Sequence, residues 1–228
     1  MTKDLTHLIC FDMDGVLISS MLIANQLFYE MVEKELGLPL YDYPQQKSLM
    51  ALSAEERIER LWEDDIREKG ITQSEIDRAM DHFRQMKIDA GVPILPDAKK
   101  ALELMAENFE HLACVSSNRE AVIDGQLRGL GIRHLFAKIT GIDRVQFSKP
   151  DPEIYAQTAE NFDIEPGKCL TFEDSTHGIH SAKGAGMQVI AVATGLESVE
   201  ELQKTDADLI LPDLSGLDLD TVKILLSH

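Results

Sequence analysis

The chain is 228 residues long, enough to bury a full core, and its 44% hydrophobic and 27% charged residues are ordinary for a globular protein. Lys and Arg number 22 against 40 Asp and Glu, a formal net charge of −18. A surface that acidic repels nucleic acid phosphates and anionic membranes, so neither is expected as a partner. No apolar run approaches the ~18 residues of a membrane span. The opening MTKDLTHLI shows no basic n-region and no apolar h-region, and a cytoplasmic protein is expected.

Residues 7–12, HLICFD, read as a buried strand that stops in Asp12 and Asp14, followed at once by Gly15. From about Ser20 to Ala90 the pattern is helical. Ala24, Leu27, Phe28 and Met31 recur at helical spacing, and Gly37 can end that helix. Ser53 stands three residues before Glu56, a capping box ahead of an Ile58, Leu61 and Trp62 stripe. Thr72 and Glu75 repeat the box ahead of Ile76, Met80 and Phe83. These stripes read as core.

After GVPILP the texture alternates. Helix DAKKALELMAENF leads to strand LACVSS, and helix REAVIDGQLRGLG to strand FAKITG. Helix PEIYAQTAENFD precedes strand KCLTFED, helix SAKGAG precedes strand MQVIAVAT, and ADLILP is a last short strand. Strand and helix in alternation predict a parallel sheet covered on both faces. The first strand is expected in that sheet, which makes the helical block an insertion: a core from residues 1–17 and 91–228, and a helical domain from 18–90. Cys10, Cys114 and Cys169 each lie in or beside an apolar run, form no CxxC, and read as small buried hydrophobes.

Several strand ends carry polar residues that a sheet does not need. The first ends in Asp12 and Asp14, LACV runs into Ser116, Ser117 and Asn118, and CLTF into Glu173, Asp174 and Ser175. Ahead of the last of these, FSKPDP presents Lys149 before two prolines. Asp and Gly are common where a strand turns, and a helix N-cap at Asp174 or Ser175 accounts for one acid, but neither accounts for two pairs of acids. Ligands of open α/β sheets bind beyond the carboxyl ends of the strands, so all four groups are expected to face one crevice. At ~4 Å one like-charge pair costs roughly 1 kcal/mol in water and ~4 kcal/mol at an effective dielectric of 20. Four carboxylates therefore need positive charge. Lys149 supplies one unit, and a hard divalent cation in an all-oxygen shell, Mg²⁺, would supply two more.

With those residues in order, FDMDGVL resembles the first motif of the haloacid dehalogenase-like hydrolase superfamily. Ser116 after LACV resembles its second motif, Lys149 in SKPDP its third, and FEDS at 172–175 its fourth. DGV and KPDPEIY are similar to the branch that includes β-phosphoglucomutase, phosphoglycolate phosphatase and sugar phosphatases. The resemblance implies an α/β fold, a Rossmann-like parallel sheet core with an inserted α-helical cap domain that closes over the crevice and chooses the substrate. It implies a phosphatase acting on a small phosphorylated metabolite, such as a sugar phosphate, as a monomer or weak dimer. Carried over residue by residue, Asp12 is the nucleophile that becomes an aspartyl phosphate, and Asp14 is the general acid and base. Ser116, Asn118 and Lys149 bind the phosphoryl group. Mg²⁺ is held by Asp12, the main-chain carbonyl of Asp14, and Asp174, with Glu173 direct or through water.

The same resemblance admits a phosphomutase, in which a sugar hydroxyl rather than water accepts the phosphoryl group. A phosphorylation-dependent switch like the response regulators also combines such acids with Ser or Thr and Lys, but at half this length and without an inserted cap. Ser19, Ser20 and Met21 stand where many relatives continue with Asp-Ser-Glu, so a relative's specificity does not carry over. Candidate substrate contacts are Gln45, Gln46, Lys47 and Arg57 in the cap, and Arg119 beside Asn118.

Overall fold

The computed structural model describes residues 3–40 and 54–227. Ser53 and the candidate contacts Gln45, Gln46 and Lys47 lie outside the described residues. Six strands form one parallel sheet: β1 (Asp4–Asp12), β2 (Phe109–Val115), β3 (Lys138–Thr140), β4 (Cys169–Glu173), β5 (Gln188–Val192) and β6 (Leu209–Leu211). Their order across the sheet is β3-β2-β1-β4-β5-β6, so the direction of winding reverses at β1. In register, Asp12 lies beside Val115 of β2, and Phe11 beside Phe172 of β4. The carboxyl ends of β1, β2 and β4 therefore finish side by side, at the point where such sheets leave a crevice.

The central segments pair as strands because both of their faces are covered. Leu8, Ile9, Cys10 and Phe11 alternate between the two faces and all are fully buried, as the continuous apolar run requires. One face packs Leu8, Cys10, Ala113, Val115, Cys169, Val189 and Ala191 against Ile154, Tyr155, Ile179 and Ala182 of the covering helices. On the other, Phe11 stacks on Phe172 at 4.5 Å and meets Phe136 edge-on. The three cysteines are free thiols buried in the sheet, as their apolar contexts suggest.

Among the described residues the α-helices, in chain order, are α1 (Met21–Leu36), α2 (Ala54–Lys69), α3 (Gln73–Asp89), α4 (Ala98–Asn108), α5 (Glu120–Gly129), α6 (Glu153–Glu160), α7 (Thr176–Gly184), α8 (Val199–Leu202) and α9 (Leu219–Leu225). Two compact units result: Met1–Ser20 together with Val92–His228, which holds the sheet, and Met21–Gly91, which is helical. No described helix is long and apolar enough to cross a membrane.

The helical unit has its own core. Phe28, Met31, Val32, Ile58, Trp62, Met80 and Phe83 are buried together, and the Phe28 ring meets Phe83 edge-on at 5.7 Å. Gly37 takes φ +59° directly after α1, a conformation open to glycine at no steric cost. The carboxylate of Glu75 accepts the Thr72 N–H at 2.8 Å and the Thr72 hydroxyl at 2.7 Å, tying off the start of α3. Trp62 leaves helical geometry inside α2 (φ −129°, ψ 18°), and its indole N–H donates to the Pro39 carbonyl at 2.8 Å. Arg57 is engaged within this unit too, donating to Asn25 at 3.1 Å and lying 5.1 Å over the Phe28 ring. Trp62 is the only tryptophan, so its fluorescence reports on this unit alone. Phe83→Ala should destabilise the unit by about 3–5 kcal/mol. A urea titration followed by Trp62 emission would show the midpoint falling, and an unmoved midpoint would remove Phe83 from the core.

Candidate active site

Asp12 is the last residue of β1, and the chain then curls tightly. Gly15 adopts φ +90° and donates its N–H to the Ile18 carbonyl, while Leu17 bonds back to Met13. Glu173 closes β4 and Asp174 follows it. The N-cap of α7 is Ser175, whose hydroxyl accepts the Gly178 N–H at 3.1 Å, so Asp174 is left out of the capping. Lys149 reaches the same place from the loop before α6.

The first cluster is built on Lys149. Its ammonium donates to Asp12 Oδ1 at 2.6 Å, to Glu173 Oε1 at 2.6 Å and to the Tyr155 hydroxyl at 3.2 Å. Asp12, Glu173 and Asp174 are all buried, with one oxygen of each within 4.8 Å of the others. Burial pushes the Asp12 carboxyl well above its ordinary range, and the charges of Glu173 and Asp14 push the same way against Lys149. Asp174 is raised for the same reasons, burial first and then Asp12 and Glu173. Burial works against the charge on Lys149, but Asp12 and Glu173 outweigh it and its pKa lies above that of an ordinary lysine. One ammonium thus pairs with two of the three acids, and the group remains short of positive charge.

The second cluster surrounds Asp14. Its carboxylate accepts from Asn118 Nδ2 at 2.5 Å, from Ser116 Oγ at 3.4 Å and from the Ser20 hydroxyl. Ser116 Oγ in turn accepts the Asn118 main-chain N–H at 3.1 Å. Asp12, Lys149, Glu173 and Asp174 are therefore gathered in one group, and Asp14, Ser116 and Asn118 in another beside it. Arg119 starts α5 as its N-cap, with an exposed side chain.

Over residues 9–192 the sequence matches the haloacid dehalogenase-like hydrolases. The chain belongs to this family. It is 28% identical over 189 residues to a phosphorylated carbohydrates phosphatase of Thermotoga maritima, covering 80% of this chain and 82% of that one. It is 29% identical over 218 residues to the β-phosphoglucomutase of Bacillus subtilis, covering 93% and 92%. Among solved structures, a haloacid dehalogenase-like hydrolase of family IA from Entamoeba histolytica shares the fold with a TM-score of 0.79 at 21% identity, over 98% of this chain and 100% of that one.

Asp174 and Glu173 sit in spaces that only glycine leaves open. A Cβ on Gly15 would lie 2.0 Å from Asp174 Oδ2, and one on Gly195 would lie 1.7 Å from the same oxygen. A Cβ on Gly178 would lie 2.0 Å from the Glu173 carboxylate. Thr194 ties the loop after β5 to the loop after β1 by donating to the Gly15 carbonyl. Sequence reasoning missed Ser20, Tyr155, Gly178, Thr194 and Gly195. Ser20 was visible only as a departure from the family's pattern. Tyr155 lies in an apolar helical stripe with Ile154, Thr158 and Ala159, and nothing in that stripe separates it from core.

The acids fit a hard divalent cation. Among the described residues no hydrogen-bond donor reaches the Asp174 carboxylate, and Lys149 occupies only one oxygen of Asp12. Three carboxylates gathered this closely in a largely buried site favour added positive charge, and an all-oxygen set suits Mg²⁺.

Proposed function

We propose that this hydrolase is a Mg²⁺-dependent phosphatase that removes the phosphoryl group from a small phosphorylated metabolite, a sugar phosphate or similar, by way of a phosphoenzyme on Asp12. The observation that carries the reading is the pairing of Lys149 with Asp12 and Glu173, at the ends of β1 and β4, with Asp14 held separately by Ser20, Ser116 and Asn118. Two carboxylates only two residues apart thus have different partners, which supports different roles for them.

In this mechanism an Asp12 carboxylate oxygen forms a bond to phosphorus as the ester P–O bond breaks, and the Asp14 carboxyl gives its proton to the departing oxygen. Asp14 then takes a proton from water, whose oxygen attacks the same phosphorus and releases Asp12 with inorganic phosphate. Ser116, Asn118 and Lys149 hold the phosphoryl oxygens. Asp12, the Asp14 main-chain carbonyl and Asp174 would hold Mg²⁺, with Glu173 direct or through water. When bound, the metal offsets the charge that builds on the phosphoryl oxygens. The inserted helical segment, residues 18–90, serves as the cap that chooses the substrate.

The match to β-phosphoglucomutase over nearly the whole of both chains favours a second reading, in which a sugar hydroxyl replaces water as acceptor. Purified protein with Mg²⁺, offered a panel of phosphate monoesters that includes β-glucose 1-phosphate, separates the two: free phosphate marks the hydrolase and sugar 6-phosphate the mutase. EDTA should abolish turnover and Mg²⁺ restore it, while Ca²⁺, with its looser coordination, should inhibit. Full activity in verified metal-free protein would overturn the metal's role.

A further inference from the structure

Tyr155 is fully buried in the sheet's core, where a phenylalanine would fill nearly the same space. Its hydroxyl is therefore the feature that needs an account, since a buried hydroxyl without partners is costly. It has two partners, one at each side of an ion pair. It donates to Glu173 Oε1 at 2.6 Å and accepts from Lys149 Nζ at 3.2 Å, and the ammonium also lies 4.9 Å over the Tyr155 ring. Burial and the neighbouring carboxylates push the Tyr155 pKa well up, so the hydroxyl keeps the proton it donates.

These contacts complete two inventories. An ammonium has three N–H donors, and those of Lys149 are spent on Asp12, Glu173 and Tyr155. Glu173 is met on both oxygens: Oε1 by Lys149 and Tyr155, and Oε2 by the Asp174 N–H at 3.2 Å and the Ser175 hydroxyl at 3.3 Å. Asp174, next in the chain, is met on neither. The two neighbouring acids are thus sorted: Glu173 is held by the protein on both oxygens, which leaves it to meet a cation through water, and Asp174 is left open.

We propose that Tyr155 is a positioning residue of this site, acting through Glu173 and Lys149. Its hydroxyl fixes Glu173 as the counter-ion of Lys149 and holds back the third N–H of the ammonium. Lys149 then takes one oxygen of Asp12 and leaves the other, with Asp174, free for the cation and the reacting phosphorus. The 3.2 Å contact is the longest of the three that Lys149 makes, and it is the one an incoming phosphoryl oxygen would replace.

The inference rests on the proposed phosphatase reading, and its test uses the full chain with p-nitrophenyl phosphate and Mg²⁺. Tyr155→Phe keeps the ring and removes only the hydroxyl. Its kcat should fall roughly tenfold or more, the scale of one hydrogen bond to a charged group, with KM little changed. Calorimetric titration with Mg²⁺ alone should show binding weakened roughly threefold or more, because the released N–H leans on Asp12. Tyr155→Phe made in a Glu173→Gln background should add little further loss, since a residue acting through Glu173 has nothing left to hold. Wild-type kcat and Mg²⁺ affinity in Tyr155→Phe would overturn the proposal, as would a full, multiplicative loss in the Glu173→Gln background. A wild-type protein that hydrolyses no phosphate ester would defeat the phosphatase reading, and the Mg²⁺ titration would still decide the role of Tyr155.

Discussion

Asp12→Asn is expected to lose turnover altogether, and no phosphoenzyme should form, because the amide cannot attack phosphorus. Asp14→Asn should behave differently. The amide can still accept from Asn118, and the Ser20 hydroxyl can reverse and accept from it, so the local hydrogen bonds survive. The main-chain carbonyl is untouched as well. What is lost is the transferable proton. With p-nitrophenyl phosphate, whose leaving group hardly needs protonation, the first step should proceed while the second, which needs a base for water, stalls. An adduct of about 80 Da, one phosphoryl group, should then accumulate on Asp12 and be seen by mass spectrometry after an acid quench. An equal adduct in Asp12→Asn, or none in any variant, would exclude the covalent route.

Lys149→Ala should have the second large effect, and it reaches beyond turnover. A lysine on a loop ahead of two prolines looks dispensable for folding, yet its side chain is only 6% exposed and is bonded to two buried acids. Removing one partner of a buried ion pair leaves uncompensated charge, worth about 3–5 kcal/mol. The metal-free variant should melt well below the wild type, and Mg²⁺ should recover more of its stability than it adds to the wild type, because the cation meets the same acids. Equal melting of the two proteins without metal would mean that the acids are satisfied by other means.

The sheet was legible because its central strands are buried on both faces and so stand out as apolar runs between helical stripes. The first strand proved longer than HLICFD, beginning at Asp4, which pairs with Phe109 ahead of a register shift, and its unburied opening residues offer no apolar run to read. The α8 and α9 helices escaped notice, as turns of four and seven residues carry too few positions to show a period. At the site, residues that break a strand's chemistry announced themselves: two acids after ICF, SSN after LACV, ED after CLTF. Residues whose role is to hold others did not. Tyr155 obeys the rules for a core residue, and Gly178 and Gly195 act by leaving room, which has no signature in spacing. The close Cβ distances at those glycines become visible only when the loops that carry them are brought together.

The position of β1 bears on how the chain emerges from the ribosome. Its nearest neighbours in the sheet are β2 and β4, and the bond from Asp12 to Lys149 joins residues 137 apart in the chain. Translation delivers Asp12 first and Lys149 only 137 residues later, so no shorter nascent chain can set this carboxylate beside the ammonium that offsets its charge. The helices of Met21–Gly91 are local and can form while the rest is still being made, but the central strand must wait for partners that arrive late. Premature termination before β4 would then yield a chain whose central strand has one open edge and no working chemistry, a product for proteases rather than a partly active enzyme.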